Sequence, residues 1–117
     1  MQFICYSKCT TCQKARKWLD ANGVAYDERY IKDNNPTVDE LKAWHTQSGL
    51  PLKRFFNTSG LQYKTLNLKD KLPTMSEEEQ FALLASDGML VKRPLLITDD
   101  AVLPGFKEAD WAKALKK

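Results

Sequence analysis

Cys9 and Cys12 stand at a C-x-x-C spacing in the run Ser7-Lys8-Cys9-Thr10-Thr11-Cys12-Gln13, directly after the apolar stretch Phe3-Ile4-Cys5-Tyr6. A short strand that turns into a helix at such a pair is the arrangement that makes a cysteine reactive. The helix start aims unpaired N–H groups and a partial positive charge at the first sulfur. The thiolate is the nucleophile. A free cysteine of pKa ~8.5 is only ~3% ionised at neutral pH, whereas one of pKa ~6 is ~90% thiolate. Lys8 adds a nearby cation. Cys12 follows about one helical turn on, close enough to close a disulfide with Cys9.

Other uses of these sulfurs must be weighed against this one. Three cysteines are an odd count, and no disulfide framework follows from it. The spacing Cys5-x3-Cys9-x2-Cys12 also matches an iron–sulfur ligand pattern of radical enzymes. Cys5, however, falls inside a β-rich apolar run, and the chain is short for a radical barrel enzyme. A zinc site needs a second pair of ligands, and His45 is the only histidine. No metal is expected. A purely structural pair of buried thiols is the bland alternative. Cys5 itself reads as a small buried hydrophobe.

The elements that must hold this pair follow from the pattern of the chain. Residues 2–6 read as a buried strand. Residues 10–22 read as a helix, with Ala15, Trp18, Leu19 and Asn22 on neighbouring turns and Gly23 as its stop. Lys14, Arg16 and Lys17 are expected to face solvent or the far side of the site. Residues 24–31 carry a β-rich pattern, with Val24, Tyr26 and Tyr30 separated by polar residues. This order implies a parallel strand pair with a right-handed crossover. Asn34-Asn35-Pro36 is a break.

Thr37 and Glu40 form a capping box that opens a helix with Val38, Leu41 and Trp44 on its stripe and Gly49 at its end. Phe55-Phe56 reads as a short buried helical turn, and Thr58-Ser59-Gly60 as a turn. Leu61, Leu66, Leu68 and Leu72 are expected to anchor a mostly polar segment. Ser76 and Glu79 form a second capping box, followed by Phe81, Leu84 and Ala85, with Gly88 as the stop. Leu95-Leu96-Ile97-Thr98 reads as a strand, Asp99-Asp100 as a tight turn and Ala101-Val102-Leu103 as its hairpin partner. Residues 108–115 read as a last helix with Ala109, Ala112 and Leu115 on one stripe.

The fold class is therefore α/β, one domain over residues 1–117. It is a thioredoxin-like β-α-β and β-β-α core around a four-stranded mixed sheet, interrupted by a helical insertion at about 35–90. The 117 residues, 43% of them apolar, are enough for a real core. The formal charge of +3 rests partly on Lys116-Lys117 and argues against a dedicated nucleic-acid binder. No stretch approaches the ~20 apolar residues of a membrane span. Met1-Gln2-Phe3 leads straight into the strand pattern, so the expected compartment is a reducing cytoplasm, where C-x-x-C chemistry is catalytic or redox-sensing. Glu77-Glu78-Glu79 suits a helix start, Lys69-Asp70-Lys71 a solvated face, His45 a surface position, and the tryptophans core positions.

The run Cys9-Thr10-Thr11-Cys12-Gln13-Lys14-Ala15-Arg16-Lys17-Trp18-Leu19, together with Lys92-Arg93-Pro94-Leu95-Leu96, resembles the arsenate reductase/Spx family across nearly the whole chain. Phe55-Phe56-Asn57-Thr58-Ser59-Gly60 and Leu68-Lys69-Asp70-Lys71-Leu72 look most like its arsenate-reductase-related branch. The resemblance implies that Cys9 is the reactive cysteine, that Arg93 lies beside its thiolate, and that Pro94 is cis and faces the motif. A cation within ~4–6 Å favours the ionised sulfur and can hold an anionic substrate.

Departures from the pattern bear on the substrate. Glutathione- and glutaredoxin-dependent arsenate reductases use three arginines around the oxyanion, and only Arg93 has a clear match. The second position aligns with Asn57, near Arg54, and the third with Gly105, near Lys107. Gln13 stands where those enzymes commonly have Arg. Each absent guanidinium removes a bidentate clamp for a tetrahedral anion. Cys12, where those enzymes often have Ser, supplies an internal resolving thiol as in Spx.

Three functions follow as expectations. The first is a thiol-dependent oxidoreductase with Cys9 attacking and Cys12 resolving, and with Thr10, Thr11 and the helix-start amides steadying negative charge. It binds no cofactor and is reduced by glutathione, glutaredoxin or thioredoxin. The second is an Spx-like redox-sensing regulator that binds the RNA polymerase α subunit, with Gly49 at the polymerase-facing loop. The third is a family member whose thiols do no physiological chemistry.

Overall fold

The computed structural model describes residues 1–117. Along the chain run β1 (Gln2–Cys5), α1 (Thr10–Ala21), β2 (Asp27–Tyr30), α2 (Val38–Ser48), a 3-10 turn (Leu52–Phe55), α3 (Leu61–Thr65) and α4 (Leu68–Lys71). A second 3-10 turn (Leu72–Thr74), α5 (Glu77–Ser86), a third (Gly88–Leu90), β3 (Leu95–Ile97), β4 (Val102–Pro104) and α6 (Glu108–Leu115) complete it. The chain divides into two compact units, one of Met1–Tyr30 with Arg93–Lys117 and one of Ile31–Lys92.

The first unit holds the sheet, in the order β2-β1-β3-β4. Strand β1 pairs parallel with β2 and antiparallel with β3, and β3 pairs antiparallel with β4. This is the mixed four-stranded sheet of the thioredoxin-like fold. Period-two alternation sends Phe3 and Cys5 to one face. There they join Leu96, Cys12, Ala15 and Leu19 of α1, and Trp111 of α6, in a single buried cluster.

Trp111 is the keystone of that cluster. It is fully buried, its ring meets Phe106 at 4.9 Å and Phe3 at 6.2 Å, and its indole N–H donates to the Gly105 carbonyl at 3.0 Å. The expected stripe of Ala109, Ala112 and Leu115 is corrected here. Ala109 is exposed and the other two are only half-buried. A tryptophan removes far more apolar area from water than an alanine, so it sets which way α6 faces. The second strand is also shorter than the 24–31 pattern implied: Val24 and Tyr26 pack on the cluster before β2 begins, while Tyr30 is exposed.

The second unit is helical. Thr37 caps α2 and Ser76 caps α5, each with its reciprocal glutamate, and Gly49 closes α2 at φ +66°. Leu41 and Trp44 of α2 and Phe81 and Leu84 of α5 are buried, and Lys42 reaches Glu78 at 2.8 Å. His45 is half-buried, its ring edge-on to Phe55 and Phe81 at 6.1 and 5.6 Å.

Two expectations fail in this unit. Leu61 and Leu66 are exposed, and Tyr63 with Leu68 and Leu72 anchors the segment instead, because the chain folds as two single-turn helices rather than one periodic one. Gly88 does not end α5; Asp87 does, and Gly88 opens the following turn. Its need for glycine is steric: a Cβ there would lie 2.7 Å from the Ile31 carbonyl oxygen.

Candidate active site

The turn Tyr6–Cys9 joins β1 to α1, and the Cys9 amide donates to the Tyr6 carbonyl at 3.0 Å. Cys9 is the N-cap of α1, with extended backbone (φ −89°, ψ 118°). Its carbonyl accepts the first helical bond, from Gln13 N–H at 3.1 Å. Its sulfur takes the place a serine or aspartate oxygen usually fills, accepting the Cys12 amide at 3.4 Å. A helix N-cap thus presents a half-exposed sulfur to an unpaired donor and to the positive end of the helix dipole. No acidic residue occupies the first turn to oppose that field.

Cys12 also accepts a backbone amide but differs in its burial. It is only 1% exposed, and its sulfur accepts the Tyr6 amide at 3.4 Å. Burial pushes its thiol up to about 12; the Tyr6 amide works the other way, and the Cys9 and Cys5 sulfurs add to the rise. All three cysteines are free thiols.

Arg93 and Pro94 belong to the same unit. Their peptide bond is cis, and Pro94 is buried, its carbonyl accepting the Gly105 amide at 2.8 Å. The Arg93 guanidinium lies 5.1 Å from the centroid of the Tyr6 ring. Tyr6 therefore touches both the Cys12 sulfur, through its amide, and the arginine, through its ring. Lys8, Thr10 and Thr11 are all exposed around the start of α1.

Sequence reasoning missed three residues. Arg16, expected to face solvent or the far side, is half-buried; it pairs with Glu28 and donates from Nη2 to the Cys5 sulfur at 3.6 Å. Cys5 in turn donates to Glu28 Oε1 at 3.8 Å. So Cys5 is buried as expected, but it is a polar member of a three-residue network rather than an inert hydrophobe. Burial, and then the Glu28 carboxylate, push its thiol up to about 11, against the pull of Arg16. The spacing carried only part of the signal: Arg16 lies one turn beyond Cys12, whereas Glu28 enters through the β1–β2 register, opposite Phe3. Tyr6 carried no signal, since its role runs through a backbone amide and a ring face. No group of three or more acidic, histidine or cysteine side chains could hold a metal ion.

The ArsC family matches residues 5–114. The chain belongs to that family. It is 55% identical over 116 residues to the uncharacterised protein YusI of Bacillus subtilis, covering 96% of this chain and 98% of that one. It is 28% identical to the regulatory protein MgsR of Bacillus subtilis, over 100% of this chain and 91% of the other. Among solved structures, an ArsC family related protein from Bacteroides fragilis superposes with a TM-score of 0.93 at 61% identity, covering 96% and 94% of the two chains. A protein from Streptococcus mutans UA159, described as a possible arsenate reductase, gives 0.86 at 45% identity over 94% and 95%. The fold is that of ArsC proteins, and no helix is long and apolar enough to cross a membrane.

Proposed function

We propose that the protein is a thiol-dependent oxidoreductase in which Cys9 attacks and Cys12 resolves. The observation that carries this reading is the N-cap sulfur. Cys9 is half-exposed and accepts an amide at the start of a helix, while Cys12, one turn on, is buried and held as a thiol.

With a disulfide substrate, the Cys9 thiolate attacks one sulfur and the S–S bond breaks. The departing sulfur leaves as a thiolate and takes a proton. Cys12 then gives up its proton and attacks Cys9 in the mixed disulfide, expelling the second substrate sulfur. The substrate gains two electrons and the Cys9–Cys12 disulfide forms. A thiol donor (glutathione, glutaredoxin or thioredoxin) returns those electrons. Arg93 holds an anionic group of the substrate or the attacking sulfur, and Thr10, Thr11 and Lys8 border the approach. Pro94 shapes the same end of β3. No bound cofactor takes part in this scheme.

Cys12→Ser should accumulate a mixed disulfide with a small disulfide substrate, visible as an added mass on Cys9. Cys9→Ser should neither turn over nor form an adduct. Undiminished reduction by Cys9→Ser would overturn the assignment.

A second reading draws on the similarity to MgsR, a protein named as regulatory. Here the Cys9–Cys12 pair is a redox switch, and the partner is the RNA polymerase α subunit. Gly49 bears on it less than its sequence position suggested. The left-handed turn and the amide bond to the His45 carbonyl at 3.3 Å account for a glycine as the end of α2. Capture of the polymerase α C-terminal domain by the oxidised or the reduced protein tests this reading; no association in either state removes it.

A further inference from the structure

Lys53, Arg54 and Lys92 line one groove of about 360 Å3, with Pro51, Phe56 and Thr58. All of these residues belong to the unit Ile31–Lys92. Three cations face the groove and no carboxylate does. None of the three makes an ion pair, whereas Lys42 in the same unit pairs with Glu78. Like charges around one concavity repel; salt screens that repulsion, and an opposite charge placed among them relieves it directly.

Backbone bonds fix where the basic side chains are rooted. Lys53 and Arg54 ride on the 3-10 turn Leu52–Phe55, whose Arg54 amide donates to the Pro51 carbonyl at 3.0 Å. Phe56 forms an antiparallel bridge with Val91. On either side of it the Asn57 amide donates to the Leu90 carbonyl and the Lys92 amide to the Phe55 carbonyl, both at 2.8 Å. Lys92 is thereby tied to the backbone that carries Arg54, so the three basic residues are rooted at fixed backbone positions around the groove.

Apart from the Thr58 hydroxyl, the rest of the lining is apolar: Pro51, the edge of the otherwise buried Phe56 and the aliphatic stems of the basic side chains. A bare inorganic anion would satisfy the charges and leave those walls wet. The volume falls in the lower part of the ~300–1,000 Å3 range of small-ligand sites.

We propose that this groove binds a short acidic peptide through at least two carboxylates. Arg54 takes one carboxylate with its planar fork; Lys53 and Lys92 act as point charges on the other. An aliphatic residue of the peptide covers the exposed Pro51 ring. The cysteines play no part in this binding, so it stands or falls apart from the thiol chemistry.

The test is an amide NMR titration of the full chain carrying Cys9→Ser, which removes thiol exchange. The probes are the capped tripeptide acetyl-Glu-Leu-Glu-amide, its Gln-Leu-Gln counterpart, and sulfate. The expected result is shifts at Lys53, Arg54, Phe56, Thr58 and Lys92, with the glutamate peptide binding at least ~30-fold tighter than the glutamine one. Arg54→Gln, at an exposed position, should weaken binding ~10-fold while leaving the rest of the spectrum in place. Three results would overturn the proposal: equal affinity for the two peptides, shifts confined to other residues, or sulfate binding as tightly as the glutamate peptide.

Discussion

The guanidinium of Arg93 rests over the ring of Tyr6, 5.1 Å from its centroid, and the amide of the same tyrosine donates to the Cys12 sulfur at 3.4 Å. One residue thus supports the arginine with its side chain and the Cys12 thiol with its backbone. Tyr6→Phe keeps both contacts and should retain kcat/KM in a disulfide-reduction assay. Tyr6→Ala removes the platform, worth ~1 kcal/mol where a cation meets an aromatic face, and should lower kcat/KM ~5-fold. Arg93→Lys should not restore what Arg93→Ala loses, because an ammonium neither stacks nor forks.

Burial separates the two motif cysteines kinetically. At neutral pH one equivalent of iodoacetamide should modify Cys9, with Cys12 and Cys5 at least ~10-fold slower, since both are buried and held as thiols well above the ordinary range. Peptide mapping by mass spectrometry reads this out directly. Equal labelling of all three would contradict the placement of Cys5 and Cys12.

The same two thiols make stability depend on pH in the alkaline range. Their pKa values are raised in the folded state, to about 11 and about 12, so the unfolded chain releases these protons first. Their contribution is fully present below the unfolded value of ~8.5 and is lost as pH rises through the folded values. Urea midpoints of the reduced protein should therefore fall between neutral pH and pH ~10.5, and Cys5→Ala should make that fall shallower.

Arg16 pairs with Glu28 at the edge of the cluster and donates to Cys5. Arg16→Met should cost ~1 kcal/mol, a loss of ~4 °C in Tm, because the pair is partly solvent-screened while Glu28 is left beside a buried thiol. Thermal unfolding followed by circular dichroism checks it.

Gly88→Ala should be costlier than its small volume suggests. The added methyl would stand 2.7 Å from a backbone oxygen of Ile31, which cannot swing aside as a side chain would. A loss of ~1–3 kcal/mol is expected from equilibrium unfolding, against a change near zero for Gly→Ala at an open site of negative φ.

Much of this architecture could be read from the chain because local chemistry specified it. Thr37 with Glu40 and Ser76 with Glu79 marked two helix starts that depend only on neighbours along the sequence. The Leu95–Ile97 hairpin was equally local. What escaped was decided by contacts between distant residues. Trp111 outweighed the alanine stripe because the sheet offered it Phe3 and Leu96. Gly88 looked like a helix stop because its true neighbour, Ile31, lies far away in sequence. At the site, Cys9 and Cys12 were legible as a motif, whereas Arg16, Glu28 and Tyr6 entered through strand register and through a backbone amide.

The central strand β1 draws its two partners from opposite ends of the chain: β2 follows within the first thirty residues, and β3 arrives only after Lys92. To the sheet, everything from Ile31 to Lys92 is one excursion between two fixed anchor points. The entropy of closing such an excursion grows only logarithmically, at ~0.6 kcal/mol for each doubling of length. Recognition carried by that stretch is consequently open to replacement or enlargement, by evolution or by chimera, while the hydrogen-bonded ladder beneath the cysteines keeps its register.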